Sequence, residues 1–500
     1  MTNSYQNYVE YLQKIADYNG AIALLSWDNE VNAPAKGAEF RGKQIATLSA
    51  EAHKLFIAAE FGELLFNLNK SDANLSENEA HNVRLSLKDY NSATKLPVSF
   101  IKKFAEARTA AYQSWVKARA ENNFNLYVPA LTKIVELCRE KAQLLGYKGH
   151  IYNALLDEYE EGATVEMLNP LFEKIRTELA AFVSILQQKG TKTNNDFLFL
   201  HYPKSLQWDN SVVLLKDIGY DQQAGRQDYA HHPFCTTFSP YDVRVTTRVN
   251  ENDVLGMIGN CIHEGGHALY EQGLPASEYG LPLGMAVSLG IHESQSRLWE
   301  NHIGLSKQFW QAQLPRMQQL FADQLENIDL DHFYKAINQV APNLIRTEAD
   351  ELHYHLHVLI RYELEKALIE GSLEVKDLAT EWNRLYKELM GVTVPDDKQG
   401  VLQDIHWAEG LLGYFPTYSL GSFYAAQFFN KAVSDNPQIL TDISNGDNSS
   451  LLAWLRKHIH QYGRTFVPNE LCRQATSEPL NVDYFLDYIK AKYSKIYNIN

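Results

Sequence analysis

Two histidines and a glutamate in one short run have the side chains that a metal-dependent hydrolase uses. The run is His263-Glu264-Gly265-Gly266-His267, with the histidines four residues apart. On a helix, side chains at that spacing leave the same face about 5–6 Å apart, so both imidazoles can bind one metal ion. The glutamate after the first histidine then lies beside the metal, where it can take a proton from water. The spacing therefore indicates a zinc hydrolase site.

The flanking residues predict the helix that this chemistry needs. Apolar residues recur at helical intervals from Asp253 to Gln272, and Gly273 follows as a helix stop. Each glycine inside a helix costs about 0.5–1 kcal/mol relative to alanine. We therefore expect Gly265 and Gly266 to make room for a substrate or for another backbone. The competing interpretation is an ordinary helix whose two histidines bind no metal and in which the two glycines are merely tolerated.

A third metal ligand has to come from outside this motif, because a catalytic zinc binds three protein ligands and keeps one position open. Glu271 is excluded, since eight residues separate it from His263 and the helix rises about 1.5 Å per residue, about 12 Å in total. The spacing of a third histidine found in metzincins is also absent, because the sixth residue after His267 is Gly273.

Three downstream carboxylates remain as candidates for that ligand. Glu278 is in a loop rich in glycine and proline, whereas Glu293 opens a new helical run. Polar residues around Glu293 can supply hydrogen bonds to the ligands. Glu300 falls on roughly the same side two turns later, with the alternative that it is a surface acid. We favour Glu293.

Composition and charge limit the classes of partner. Of 500 residues, 45% are hydrophobic and 21% are charged, as in an ordinary globular protein. The net charge of −15 argues against nucleic acid or an anionic membrane as a partner. The N-terminus lacks the features of a signal peptide, and no apolar stretch approaches 18 residues. Four scattered cysteines without a CxxC pair fit reduced thiols, so we expect a cytoplasmic protein.

Apolar residues at three- and four-residue intervals predict helices through most of the chain. The main segments are Tyr5 to Leu25, Ser99 to Asn122, Pro129 to Gly146, Val165 to Lys189, Leu314 to Asn327, Ile345 to Gly371, Val375 to Met390 and Leu451 to Tyr462. Strand-like patterns occur at Phe197 to Tyr202 and Val243 to Val249, which predicts a small sheet near residues 195–250. The helical periodicity predicts a mainly α fold. Since no repeat or linker divides the sequence, we predict one domain, residues 1–500, with two lobes around a cleft.

Six motifs in fixed order carry a resemblance to a known family. They are HPF (232–234), DxRxT (242–246), HExxH (263–267), HESQ (292–295), IRxxAD (345–350) and GxxQDxHW (400–407). In this combination the chain resembles the carboxypeptidase Taq family of metallocarboxypeptidases, from about residue 20 to past residue 430. The resemblance implies an almost all-helical fold with a long, deep cleft, a homodimer, and removal of C-terminal residues from peptides with broad specificity. It also implies Glu293 as the third ligand and one Zn²⁺ per chain, with Co²⁺ possible.

A mechanism on these residues assigns Glu264 as the general base that takes a proton from the attacking water. The oxyanion of the tetrahedral intermediate needs a hydrogen-bond donor besides the metal. Tyr418 and His406 are the candidates. Their alternatives are a packed aromatic ring for Tyr418 and a structural hydrogen bond for His406.

A carboxypeptidase also has to recognise the free C-terminal carboxylate of its substrate, which a guanidinium binds in a bidentate manner. Arg346 is the first choice because it is predicted to start a long helix next to the cleft motifs, and Arg244 is the second. The alternative for each is a buried ion pair, Arg346 with Asp350 and Arg244 with Asp242.

Other polar residues have supporting or competing interpretations. Asp242 and Asp404 are candidate acceptors for the ligand imidazoles. His353, His355 and His357 are interpreted as surface or packing residues. Two other functions remain open. One is an oligopeptide endopeptidase or dipeptidyl carboxypeptidase on the same scaffold, and the other is a non-catalytic helical scaffold that keeps a metal.

Overall fold

Helices form most of the chain, as the periodicity predicts. The computed structural model describes residues 3–70 and 74–499. The first half contains α1 (Asn3–Val31), α2 (Ala38–Phe56), α3 (Ala59–Leu68), α4 (Glu77–Lys95), α5 (Val98–Glu121), α6 (Val128–Leu145), α7 (Asn153–Leu156), α8 (Val165–Lys174), α9 (Ala180–Lys189) and α10 (Lys204–Ile218). The second half contains α11 (Val254–Glu271), α12 (Leu289–Arg297), α13 (Lys307–Leu320), α14 (Ala322–Leu325), α15 (Leu330–Ile337), α16 (His353–Glu370), α17 (Leu378–Met390), α18 (Pro416–Asp435), α19 (Gln438–Ser444), α20 (Ser449–His458), α21 (Pro468–Thr476) and α22 (Asp483–Tyr497).

Among residues 3–70 and 74–499, two π-helical turns extend or join these helices. Ile175–Leu179 joins α8 to α9, so the helix predicted over 165–189 is confirmed as one continuous rod. Leu298–Gly304 continues α12. Wide turns of this kind are frequent at functional sites.

The prediction of one helix over 345–371 is wrong for its first residues. A 3₁₀ turn, Arg346–Glu348, comes first, and α16 begins only at His353. Asp350 is the reason, because its carboxylate accepts the N–H groups of residue 352 and His353, each at 2.9 Å, and so starts a new helix. Arg346 therefore does not begin the long helix.

A three-stranded sheet lies next to α11. Its strands are β1 (Gly225–Tyr229), β2 (Cys235–Ser239) and β3 (Asp242–Thr247), in the order β1-β3-β2. β1 runs parallel to β3, whereas β2 is antiparallel to it. The strand predicted over 243–249 is thus confirmed as β3, and β2 and β3 pack against α11.

The other predicted strand, over 197–202, is wrong. Its first residues belong to a 3₁₀ turn, Asp196–Phe199. The Tyr202 hydroxyl donates to the Phe197 carbonyl at 2.9 Å, so the run closes on itself. Both aromatic rings are buried in the core without a strand.

The described residues form two apolar cores. The main core extends over most helices from α5 onwards and includes the buried faces of α11, α16 and α18. A smaller N-terminal core comprises Tyr5, Tyr8, Leu12, Ile15, Phe61, Leu65, Leu68, Val83 and Leu281. Leu281 comes from the loop between α11 and α12, so this loop ties the N-terminal helices to the main body.

A groove of about 1430 Å³ separates α4 from the main body. Its far side is lined by residues 153–154, 157–159, 161–164 and 285–289, and it reaches His292. Ion pairs join the two sides, Lys88 with Glu161 at 2.5 Å and Arg464 with Asp89 at 2.5 Å. In the part of the chain that the structure describes, no helix has the length and apolar character needed to cross a membrane.

The buried histidine His302 gives a prediction about stability against pH. Its ring lies between Phe429 and Tyr488, with centroid distances of 5.1 and 4.1 Å. Burial, with the nearby Lys492 cation, lowers its pKa to about 3. The unfolded chain binds this proton below about pH 6.5, whereas the folded protein excludes it, so the free energy of unfolding falls as the pH drops from 6.5 towards 3.

Replacing His302 by Phe should therefore make that fall shallower by about 1.4 kcal/mol per pH unit. Urea denaturation of both proteins at a series of pH values from about 6.5 to 5 measures the two slopes. Parallel slopes would show that His302 takes up its proton in the folded protein.

Candidate metal centre

Helices α11 and α12 bring three potential ligands together. The Nε2 atoms of His263 and His267 lie 3.8 and 3.5 Å from Glu293 Oε2. All three ligand atoms are within 4.8 Å of one another. Ligand atoms about 2.0–2.2 Å from a tetrahedral zinc are roughly 3.3–3.6 Å apart, so this arrangement fits a metal ion. The imidazoles are 18% and 16% exposed, which leaves access for water and substrate.

Close helix packing holds Glu293 in this place. A Cβ on Gly266 of α11 would lie 2.7 Å from the Gln295 carbonyl oxygen, and one on Gly421 of α18 would lie 2.5 Å from Glu293 Cγ. α12 is therefore pressed between α11 and α18. For Gly266, the expected close approach of another backbone is confirmed, whereas Gly265 packs against the Ile218 side chain.

Each ligand imidazole is oriented through its second nitrogen. His263 Nδ1 lies 2.8 Å from Glu300 Oε2, so it donates to that carboxylate and leaves Nε2 free for the metal. His267 Nδ1 lies 2.6 Å from His292 Nδ1, and His292 Nε2 lies 2.7 Å from Glu271 Oε1. If His292 donates to Glu271, its Nδ1 accepts from His267, whose Nε2 is then also free.

The prediction that Asp242 and Asp404 accept hydrogen bonds from the ligand imidazoles is wrong. Asp242 binds Arg244, and Asp404 binds Arg346 and Arg361 instead of an imidazole. Glu300 takes the place of one predicted acceptor, so it is not a surface acid.

Arg297, which was not predicted from the sequence, links Glu293 of α12 to Glu300 of the π-helical turn that follows. Its Nε donates to Glu293 Oε1 at 2.7 Å and its Nη1 to Glu300 Oε2 at 3.1 Å. The guanidinium thereby occupies the oxygen of Glu293 that faces away from the imidazoles. Burial raises the pKa of Glu293, but Arg297 and the two ligand histidines hold it well below its usual range. The spacing of four and three residues along one helix could have revealed this residue.

Glu264 lies on the same helix and is 8% exposed. Burial raises the pKa of its carboxyl to about 7, with His263 opposing the rise and Glu293 and Glu300 adding to it. Burial lowers the pKa of His263, but Glu300 and Glu293 raise it overall to about 9, so a bound metal ion would take the place of the proton on Nε2. A carboxylate with a pKa near neutral pH is suited to accept and return a proton.

Arg346 is buried in a cluster with an excess of positive charge. Its Nη2 donates to Asp404 Oδ1 at 3.0 Å, and Arg361 Nε donates to Asp404 Oδ2 at 2.7 Å. Two guanidinium groups thus share one carboxylate. The predicted pairing of Arg346 with Asp350 is wrong, because Asp350 binds His353 Nδ1 at 2.7 Å.

Tyr354 connects this cluster to the metal centre. Its hydroxyl accepts from Arg346 Nη1 at 3.2 Å, and its ring lies 4.3 Å from the Arg297 guanidinium. Arg346 is therefore one aromatic side chain away from the arginine that holds Glu293.

His406 and Tyr418 lie next to each other and close to Arg346. His406 Nε2 is 3.3 Å from the Tyr418 hydroxyl, and the Tyr418 ring is 5.0 Å from the Arg346 guanidinium. Burial lowers the pKa of His406 to about 4, so its ring is neutral at pH 7. Burial raises the pKa of Tyr418 well above its usual value, and Glu293 adds to the rise. The tyrosine therefore keeps its proton and can donate it in a hydrogen bond.

Arg244 on β3 has a different environment. It forms a bidentate ion pair with Asp242, at 2.9 and 2.8 Å, as the alternative interpretation predicts. Its guanidinium lies between the rings of Trp27 and Phe238, at 4.5 and 4.7 Å. Its charge is balanced by one carboxylate, unlike that of the Arg346 cluster.

The three histidines of α16 are buried packing residues. His353, His355 and His357 contact Asp350, Ser419 and Tyr386 respectively. None of them belongs to the metal centre.

Comparisons with known proteins agree over nearly the whole chain. A family model described as carboxypeptidase Taq (M32) metallopeptidase matches residues 7–493. Carboxypeptidase 1 of Bacillus subtilis is 38% identical, with 98% of each chain covered. Thermostable carboxypeptidase 1 of Thermus thermophilus is 39% identical, with 99% of each covered. The crystal structure of an M32 carboxypeptidase from Deinococcus radiodurans superimposes with a TM-score of 0.97 at 38% identity, again over 99% of each chain.

Proposed function

Because the chain belongs to the carboxypeptidase Taq (M32) metallopeptidase family and is a metal-dependent carboxypeptidase, we propose that it holds Zn²⁺ between His263, His267 and Glu293. We further propose that it removes single C-terminal residues from peptides with broad specificity. The observation that best supports this proposal is that these three ligand atoms lie close together beside Glu264. Two imidazoles and one carboxylate are a ligand set of catalytic zinc sites, and Co²⁺ can replace zinc in such a set.

Glu264 is the general base and acid in this proposal. When bound, the metal supplies Lewis-acid chemistry that acidifies water and polarises the scissile carbonyl. The Glu264 carboxylate accepts a proton from the attacking water and returns it to the leaving amine. Burial raises the pKa of this carboxyl, which strengthens the carboxylate as a proton acceptor.

Tyr418 and His406 act on the developing oxyanion. The Tyr418 hydroxyl is the direct donor, and the neutral His406 orients it through the 3.3 Å contact. The positive charge of Arg346 beside the Tyr418 ring favours negative charge at this position.

Arg346 binds the C-terminal carboxylate of the substrate, and Arg244 is the second candidate. The Arg346 cluster supports this choice because two guanidinium groups share one carboxylate, which leaves one positive charge for the substrate. Arg244 already has a carboxylate partner of its own.

Substituting Lys for each arginine separates the two candidates, because Lys keeps the charge but loses the planar fork. Arg346→Lys should lower kcat/KM for peptides with a free C-terminus by about 10²-fold, since a broken buried pair costs about 2–5 kcal/mol. The matched Arg244→Lys should change it by less than about tenfold. Steady-state kinetics on one peptide measures both variants. A larger loss for Arg244→Lys would transfer the role to Arg244.

A timed mass-spectrometric digest of blocked peptides tests the activity as a whole. An N-acetylated peptide should lose single C-terminal residues, and a C-terminally amidated one should resist. A chelator should stop the reaction and added Zn²⁺ or Co²⁺ should restore it. Cleavage of both peptides at internal bonds would indicate an endopeptidase, release of residues in pairs a dipeptidyl carboxypeptidase, and no chelator-sensitive cleavage a non-catalytic scaffold.

We also propose that residues 1–500 act as one metallocarboxypeptidase domain whose two lobes flank the groove, and that the protein is a cytoplasmic homodimer. The resemblance to the family supports the dimer, and the four free cysteines support a reducing compartment. Sedimentation equilibrium of the full chain measures the oligomeric state.

A further inference from the structure

Glu160 is a buried carboxylate that the reaction does not use. It lies between α7 and α8 and is 2% exposed. No lysine or arginine among the described residues forms an ion pair with it. Its Oε2 accepts the backbone N–H of Gly290 at 2.9 Å. The side chains of Ser288 and Tyr424 also hydrogen-bond to this carboxyl. A buried acid without a cationic partner is costly, so its hydrogen bond to the Gly290 amide requires an explanation.

The amide that Glu160 binds belongs to the first turn of α12. The N–H groups at the start of a helix have no partner within the helix and need one from outside. Here the Leu289 amide donates to the Tyr159 carbonyl at 3.2 Å, and the Gly290 amide to Glu160. The Ile291 amide donates to the Ser288 hydroxyl at 3.0 Å. Two of these three acceptors therefore come from the segment before α8.

Contact between this carboxylate and the helix is direct. A Cβ on Gly290 would lie 2.5 Å from Glu160 Oε2, so no side chain fits between them. Glu293 follows Gly290 by three residues, less than one turn. A metal site tolerates ligand distances within about 0.2 Å, so a small shift of this turn would carry the Glu293 carboxylate out of range.

We propose that Glu160 is a positioning residue that fixes the first turn of α12 and thereby holds Glu293 at the metal. This role rests on the proposed ligand set. It acts through the backbone of Gly290 and needs no contact with metal or substrate.

The experiment compares three variants by two readouts. Glu160→Gln keeps an oxygen that can accept the Gly290 amide, Glu160→Asp is one methylene too short, and Gly290→Ala pushes the carboxylate away. The dissociation constant for Zn²⁺ is measured by competition with a chromophoric chelator, and the visible spectrum of the Co²⁺-loaded protein reports the ligand geometry. We expect Glu160→Asp and Gly290→Ala to bind Zn²⁺ about tenfold more weakly and to show an altered Co²⁺ spectrum. Tenfold is the lower end of the loss of metal affinity that follows from replacing residues that support metal ligands. Glu160→Gln should stay within about threefold of the parent protein.

Glu365 provides the matched control. It is also fully buried, and it accepts from Trp407 Nε1 at 2.7 Å and from the Gly413 amide at 2.8 Å, both of which lie outside α12. Glu365→Asp should leave the affinity for Zn²⁺ unchanged. Equal weakening by Glu365→Asp, or parent-like affinity and spectrum in Glu160→Asp and Gly290→Ala, would overturn the positioning role. If Glu160→Asp fails to fold, Gly290→Ala decides alone. Retained zinc affinity in Glu293→Ala would instead refute the ligand set.

Discussion

Glu264→Gln should lower kcat by about 10²–10⁴-fold while the protein still binds one Zn²⁺ per chain. Gln has nearly the same shape as Glu, so the buried position at 8% exposure is filled as before. Its amide cannot accept a proton from water, so the general base is lost. The three ligand atoms belong to other residues and remain together. Peptide hydrolysis and metal content per chain are measured on the same preparation.

Glu278→Gln is the matched control for this experiment. Glu278 was a candidate ligand by sequence, but its Oε2 accepts from Asn82 at 2.8 Å at the N-terminal core, away from the metal centre. The control should keep both its zinc and its activity. Substantial hydrolysis by Glu264→Gln would remove the general-base role, and loss of zinc from it would point to a ligand role.

The sequence predicts secondary structure well where periodic segments are long. α5, α6 and α11 begin and end within about two residues of their predicted bounds, the usual uncertainty of a helix end. The break before His353 was missed because it depends on one carboxylate, Asp350, that starts a new helix. The aromatic run over 197–202 resembled a strand because buried aromatic residues occur in both strands and turns.

Within the candidate metal centre, local spacing predicted the three residues that the structure brings together but not their hydrogen-bond partners. His263, His267 and Glu264 follow from one helix, and the new helix after it suggested Glu293. His292 and Glu300 reach the imidazoles only because α12 and the π-helical turn after it pack closely against α11, which spacing within one helix does not reveal. Asp404 was assigned wrongly for a related reason, since two distant arginines surround it.

Zinc affinity in Glu293→Gln and Glu300→Gln should separate the metal ligand from the residue that orients a ligand. A zinc site is worth about 10–16 kcal/mol, so one of three ligands accounts for roughly 4 kcal/mol, which is about 10³-fold in affinity. Glu293→Gln should approach that loss. Glu300→Gln should weaken zinc binding by about 10–100-fold, because it only removes the carboxylate that orients His263.

These two variants control for each other. Both residues belong to the helical segment that starts with α12, and both accept from Arg297, at 2.7 and 3.1 Å, so each substitution removes one charged partner of the same guanidinium. Any general effect of disturbing Arg297 is therefore common to both, and the difference between them reports metal ligation. Excess Zn²⁺ should restore activity to Glu300→Gln, whose three ligands remain, more readily than to Glu293→Gln. A greater loss of affinity in Glu300→Gln than in Glu293→Gln would contradict the assignment of Glu293 as the third ligand.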